Sequence, residues 1–207
     1  MPAPSSNRSL LLLTVAAVAL AGGLLLALAM RPDAVVLQSG TLLPQPRALP
    51  ELNLLDDQNQ PYAQSRLQKH WTLIFPGYTS CPDICPTTMA LLKQVLIQLG
   101  PQAEQLQVAM LTVDPERDTP ERLGQYLHYF NPHFLGLITP EPNLKRVAQT
   151  LGVVYVKVPG ESGSYTMDHS AALVLLDPQG RLAGYLTPPF TVDALVQDFR
   201  KLLKSGA

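Results

Sequence analysis

Cysteine is scarce: the 207 residues hold two, Cys81 and Cys85, too few for a disulfide-stapled scaffold or a four-thiolate zinc site. Charge of one sign is scarce as well. Fifteen basic side chains stand against 16 acidic ones, so the basic surplus of a nucleic-acid binder is missing and no nucleic acid is expected as a partner. A composition 46% hydrophobic and only 15% charged excludes an intrinsically disordered tail. No internal repeat is visible. The length suits one ordinary domain with an appendage.

The appendage lies where charge is absent altogether. Between Arg8 and Arg31 run 22 uncharged positions, Ser9 to Met30, of which only Ser9, Thr14, Gly22 and Gly23 are not hydrophobic. As a helix this run reaches about 33 Å, enough for a hydrocarbon core of about 30 Å. It lacks the polar stripe of a helix packed in a soluble domain. The expectation is a transmembrane anchor over 9–30, with residues 1–8 cytoplasmic and the rest exported by the positive-inside rule. A cleaved signal peptide is the competing reading, because Ala27-Leu28-Ala29 imitates a cleavage site. No Arg-rich, Ser-rich amphipathic leader is present, which favours a bacterial inner membrane over a mitochondrial precursor. Residues 31–50, with Pro32, Pro44, Pro46 and Pro50, read as an extended Pro-rich linker.

From residue 51 onward strands alternate with helices. Trp71–Phe75, ended by Pro76-Gly77, predicts a buried strand. Helical spacing over 86–99 is followed by a strand over 107–113. Thr119-Pro120-Glu121 supplies a cap, a first-position proline and a first-turn acid for a helix to Phe130. A strand at 134–138, a helix at 143–151 and a strand at 153–158 follow. Strands at 171–176 and 181–186, joined by Asp177-Pro178-Gln179-Gly180, predict an antiparallel hairpin, and a last helix covers 192–203. The order specifies an α/β, thioredoxin-like mixed sheet with helices on both faces over 51–207.

The chemistry concentrates in Cys81-Pro82-Asp83-Ile84-Cys85-Pro86, on a loop running into a helix start. The partial positive charge there favours thiolates, and two soft sulfurs plus an imidazole suit Cu(I) in a trigonal site. Two other readings stay open: a redox-active dithiol and a plain structural pair or disulfide bond. His169 precedes the last hairpin, in the loop that faces the cysteines in a thioredoxin-like fold. No proline occurs between Gly160 and Leu176, so the ring that thioredoxins place there does not block metal approach.

Three segments now converge on a known pattern. The cysteine run, Val113-Asp114-Pro115-Glu116-Arg117-Asp118-Thr119-Pro120 and Tyr165-Thr166-Met167-Asp168-His169-Ser170 resemble the signature of the Sco (SenC) family. Those are membrane-anchored, thioredoxin-like copper proteins of cytochrome c oxidase assembly. The resemblance implies Cys81, Cys85 and His169 as ligands of one copper ion, Cu(I) and also Cu(II). It implies a metallochaperone that loads the binuclear copper site of oxidase subunit II. A second periplasmic copper chaperone or a thiol reductase is a further implied partner. The alternative role is a thiol-disulfide oxidoreductase that keeps the oxidase's cysteines reduced. Pro76-Gly77 and Thr79-Ser80 depart from the family's usual Phe-Gly and Thr-His, without losing a ligand.

The remaining candidates have blander readings. His70, His128 and His133 are expected to be solvated or helix-surface histidines. Asp83 and Asp168 either tune the site or are ordinary turn aspartates. Met167 is a candidate thioether ligand. Asp114–Pro120 reads as a capped, ion-paired turn, with a docking loop as the competing view.

Overall fold

The computed structural model describes the backbone of residues 6–29 and 35–204, in two separate units, 1–34 and 35–207. In the first, Ser6–Ala29 forms α1, and its described side chains, residues 10–24, are all exposed. Among the described residues no helix is long and apolar enough to cross a membrane. Helix α1 covers most of the anchor expected over 9–30 without meeting that requirement. Residues 1–5 of the expected cytoplasmic N-terminus, Met30 and 31–34 lie outside the described residues.

Among the described residues of the second unit, ten strands and four α-helices follow in chain order. The strands are β1 (Gly40–Arg47), β2 (Leu54–Asp56), β3 (Pro61–Tyr62), β4 (Trp71–Gly77), β5 (Leu106–Thr112), β6 (Leu135–Ile138), β7 (Tyr155–Pro159), β8 (Tyr165–His169), β9 (Leu173–Leu176) and β10 (Leu182–Leu186). The helices are α2 (Ile84–Leu99), α3 (Pro120–Phe130), α4 (Asn143–Leu151) and α5 (Val192–Lys204). Eight strands form one mixed sheet in the order β1-β10-β9-β4-β5-β6-β2-β3, and β7 and β8 form a second, two-stranded sheet. β4, β5 and β6 are parallel, while β9 runs antiparallel to β4 and β10 to β9.

Strand periodicity sorts the core into two layers. Leu73, Phe75, Val108, Met110, Leu173 and Leu175 face α2, α3 and α5, where Met89, Leu92, Leu123, Leu127, Leu195 and Phe199 meet them. Their alternates Ile74, Ala109, Leu111, Val174 and Leu176 face α4 through Leu144, Val147, Ala148 and Leu151. Each fully buried Leu, Ile or Phe contributes about 1.5–3 kcal/mol, so the central strands are held from both sides. The expected helices on both faces are present.

Local chemistry explains the boundaries. The Thr119 hydroxyl accepts from the Arg122 backbone N–H at 3.2 Å, capping α3 with Pro120 at its first position. Gly180 closes the β9–β10 turn at φ 74°, which a side chain would strain. Strand β4 runs two residues further than the sequence suggests: Pro76 and Gly77 continue its register against Leu111 and Thr112. Pairing with β9 has ended by Ile74, so Pro76 stands where only one side of the strand is bonded and its missing N–H is tolerated. Within the stretch expected to be a linker, Gly40–Arg47 is instead the edge strand β1 on β10. Its register breaks between Leu42 and Arg47, around Pro44 and Pro46, as prolines permit at a sheet edge. The β7–β8 pairing was not foreseen; it makes Tyr165–His169 a strand and not a loop.

Candidate functional site

Cys81 lies on the loop between β4 and α2 and is half-buried; Cys85 is the second residue of α2 and is fully buried. Both are free thiols here, so the disulfide bond that the sequence left open is not formed in this structure. The loop is short and tightly bonded. The Cys81 backbone N–H donates to the Tyr78 carbonyl at 3.3 Å. Gly77 just before it lies against Phe75: an added Cβ would come within 2.7 Å of that ring.

His169 ends β8, paired in register with Tyr155 of β7. Its Nε2 lies 3.7 Å from the Cys85 sulfur, across 84 residues of sequence. Its Nδ1 is 3.0 Å from the Ser170 carbonyl, which can only accept. In the neutral tautomer that donates Nδ1–H to this carbonyl, Nε2 turns its lone pair toward the thiol. Phe75 and Tyr78 clasp the imidazole edge-on, each with ring centroids 6.0 Å away.

Electrostatics corrects one expectation. A helix N-terminus lowers a thiol pKa, but burial pushes the Cys85 thiol well above its ordinary value, and neighbouring Cys81 and Asp118 add to that. Cys85 is therefore a protonated thiol whose proton must leave before the sulfur acts as ligand or nucleophile. Among the described residues no three His, Cys, Asp or Glu side chains are close enough together to hold a metal ion at once. The structure brings Cys85 and His169 together, with Cys81 alongside on the same loop.

Asp118 is the residue that sequence reasoning undervalued. Fully buried, its carboxylate accepts from the Thr79 backbone N–H at 3.0 Å, the Thr79 hydroxyl at 2.5 Å and the Thr112 hydroxyl at 2.7 Å. It thus pins the cysteine loop to the end of β5. Arg122 adds a bond to the Ser80 hydroxyl at 3.0 Å. The turn expected over Asp114–Pro120 is indeed capped and ion-paired, through Arg117 and Asp114.

The other candidates make other contacts. Asp83 precedes α2 without a side-chain cap bond, and both Asp83 and Asp168 are exposed. Met167 is buried, packed in the core and lining a groove of about 610 Å³ beside β7. His128 pairs with Asp57 at 3.3 Å, His70 lies 3.4 Å from the Thr72 hydroxyl, and His133 is exposed.

A thioredoxin-like α/β domain with a dithiol loop on its central strand, facing an imidazole from a separate hairpin, defines a class of soft-donor thiol protein. Within that class the chain belongs to the SCO1/SenC family, whose family model matches residues 42–204. A protein of Stutzerimonas stutzeri that carries the provisional name copper-binding protein is 38% identical over 199 residues, 95% of either chain. The structure of Bradyrhizobium japonicum ScoI with copper bound superposes with a TM-score of 0.66 at 32% identity, covering 81% of this chain and 99% of that one. Yeast Sco1 with copper bound gives a TM-score of 0.70 at 28% identity, over 77% of this chain and 90% of that one.

Proposed function

We propose that this chain is a copper metallochaperone: Cys81, Cys85 and His169 hold one copper ion and pass it to the binuclear copper site of cytochrome c oxidase subunit II. The observation that carries the reading is the 3.7 Å between the Cys85 sulfur and Nε2 of His169. A first-row metal bonded to sulfur at about 2.3 Å and nitrogen at about 2.0 Å, with about 120° between them, separates those atoms by about 3.7 Å. Cys81, half-exposed on the same loop, would supply the third donor once its side chain turns toward that pair. Two thiolates and a neutral imidazole are a soft set suited to Cu(I). The half-exposed thiolate is where an incoming ligand can begin a stepwise exchange. The family and the copper-bound relatives support the same cargo.

The uncharged run Ser9 to Met30 in the sequence is the ground for a single-pass anchor in the bacterial inner membrane, with the domain in the periplasm. A second reading rests on the unequal thiols: half-exposed Cys81 and buried Cys85 also suit a thiol-disulfide oxidoreductase that attacks through Cys81 and resolves through Cys85.

Cu(I) titration of the full chain in detergent separates the two. Wild type is expected to take up one ion. The Cys81→Ala, Cys85→Ala double variant is expected to lose uptake, and His169→Ala to bind about 10- to 100-fold more weakly. Unchanged uptake in both variants overturns the copper reading. Disulfide-substrate turnover that needs both cysteines and ignores His169→Ala favours the reductase.

A further inference from the structure

The strand that delivers His169 belongs to no large sheet. β7 and β8 pair only with each other among the described residues, and an isolated two-stranded ribbon is marginal in water. The hairpin meets the rest of the domain through the Tyr155 hydroxyl on Glu141, Lys157 on Glu116, the buried Met167 and Tyr165, which lies on the same face of β8 as His169. The Arg117 guanidinium lies 3.7 Å from the centre of the Tyr165 ring. One of its terminal nitrogens donates to the Tyr165 carbonyl at 3.0 Å, while its Nε pairs with Asp114. The Tyr165 hydroxyl donates to the other Asp114 oxygen at 2.9 Å, closing the ring of contacts. On its far side Arg117 reaches Tyr78, 5.6 Å from that ring's centre, and Tyr78 is one of the two rings clasping His169. One residue further along the chain, Asp118 ties down the cysteine loop.

We propose that Arg117 is a positioning residue that holds the β7–β8 hairpin at the distance from the cysteine loop where His169 can share a metal ion with Cys85. The inference rests on His169 being a ligand, as proposed above. The turn Asp114–Asp118 then spans the site: its first carboxylate, through Arg117, sets the imidazole half, and its last sets the thiol half. A planar fork is needed, because one side chain must stack on a ring, donate to a carbonyl and pair with a carboxylate together. Lysine keeps the charge and loses that geometry.

The test loads the full chain in detergent with copper(II) chloride and records electron paramagnetic resonance and sulfur-to-copper absorption. Wild type is expected to show imidazole nitrogen coupling together with the thiolate band, and His169→Ala the band alone. Arg117→Ala is expected to keep the thiolate band, weaken or lose the nitrogen coupling and bind about tenfold less tightly; Arg117→Lys recovers only part of this. Should Arg117→Ala not fold, Tyr165→Ala breaks the same latch from the hairpin side and is read identically. Nitrogen coupling and affinity equal to wild type in folded Arg117→Ala or Tyr165→Ala overturn the latch while leaving His169 as a ligand. No nitrogen coupling in wild type, or coupling that survives His169→Ala, sinks the ligand assignment and the latch with it.

Discussion

The thiol half and the imidazole half of the site are built by opposite means. Cys81 and Cys85 hang from β4, a central strand with neighbours on both sides over Thr72–Ile74 and a core layer on each face. Their loop is fastened by backbone bonds and by a buried carboxylate. His169 stands on a two-stranded ribbon fastened by the arginine stacked on Tyr165, the Tyr165 and Tyr155 hydroxyls, the buried Met167 and an exposed Lys157–Glu116 pair at 2.5 Å. Exposed pairs of that kind contribute little. The contrast bears on the proposed copper site: a fixed pair of sulfurs would define the seat, and a separable nitrogen would complete it. Stepwise exchange needs one donor that leaves without unfolding the others.

If the contrast is real, cutting the two fastenings has unequal consequences. Asp118→Ala leaves the Thr79 N–H and the Thr112 hydroxyl without acceptors in a buried place and should cost about 3 kcal/mol of global stability in urea denaturation. Tyr165→Ala should cost about 1 kcal/mol or less, because its hairpin can open alone. Equal losses would erase the distinction. Hydrogen exchange sharpens it further. Amides bonded within β4 and β5 should exchange only with global unfolding, and those of β7 and β8 about 30-fold faster or more through local opening. Uniform protection across both sheets would show a single cooperative unit.

The thiol half was legible in the sequence for the same reason that it is rigid. Strand, loop and helix are contiguous, so Trp71–Phe75, the two cysteines and the α2 periodicity fall within 30 residues and carry their own punctuation. The imidazole half was legible as a residue and not as a structure. His169 stood out by its place before β9 and by the family resemblance, but nothing local marks Tyr155–Pro159 and Tyr165–His169 as a pair. The supports were hidden more deeply. Asp118 acts on Thr79, 39 residues away, and Arg117 on Tyr165, 48 away; such choices are made by tertiary packing and leave no periodicity. Prolines misled at two strands, β1 and the end of β4, because a sheet edge or a one-sided ladder accepts a residue without an N–H.

The smallest expected effect probes burial of the thiol half directly. Burial favours the neutral Cys85 thiol in the folded domain, so the unfolded chain gives up this proton first as pH rises. The stability that Cys85 contributes is complete below about pH 8.5, the ordinary cysteine range, and declines above it. Between pH 8.5 and 9.5 the loss should be about 1 kcal/mol in urea denaturation of the metal-free chain. Tyr62, pushed up by burial to about 12 from its ordinary value near 10, acts in the same direction but only at higher pH. Cys85→Ala should flatten the profile in this window even though it lowers its starting point. An identical slope in both proteins would mean that Cys85 is open to solvent in solution, and the sulfur seat would then be as loose as the hairpin that faces it.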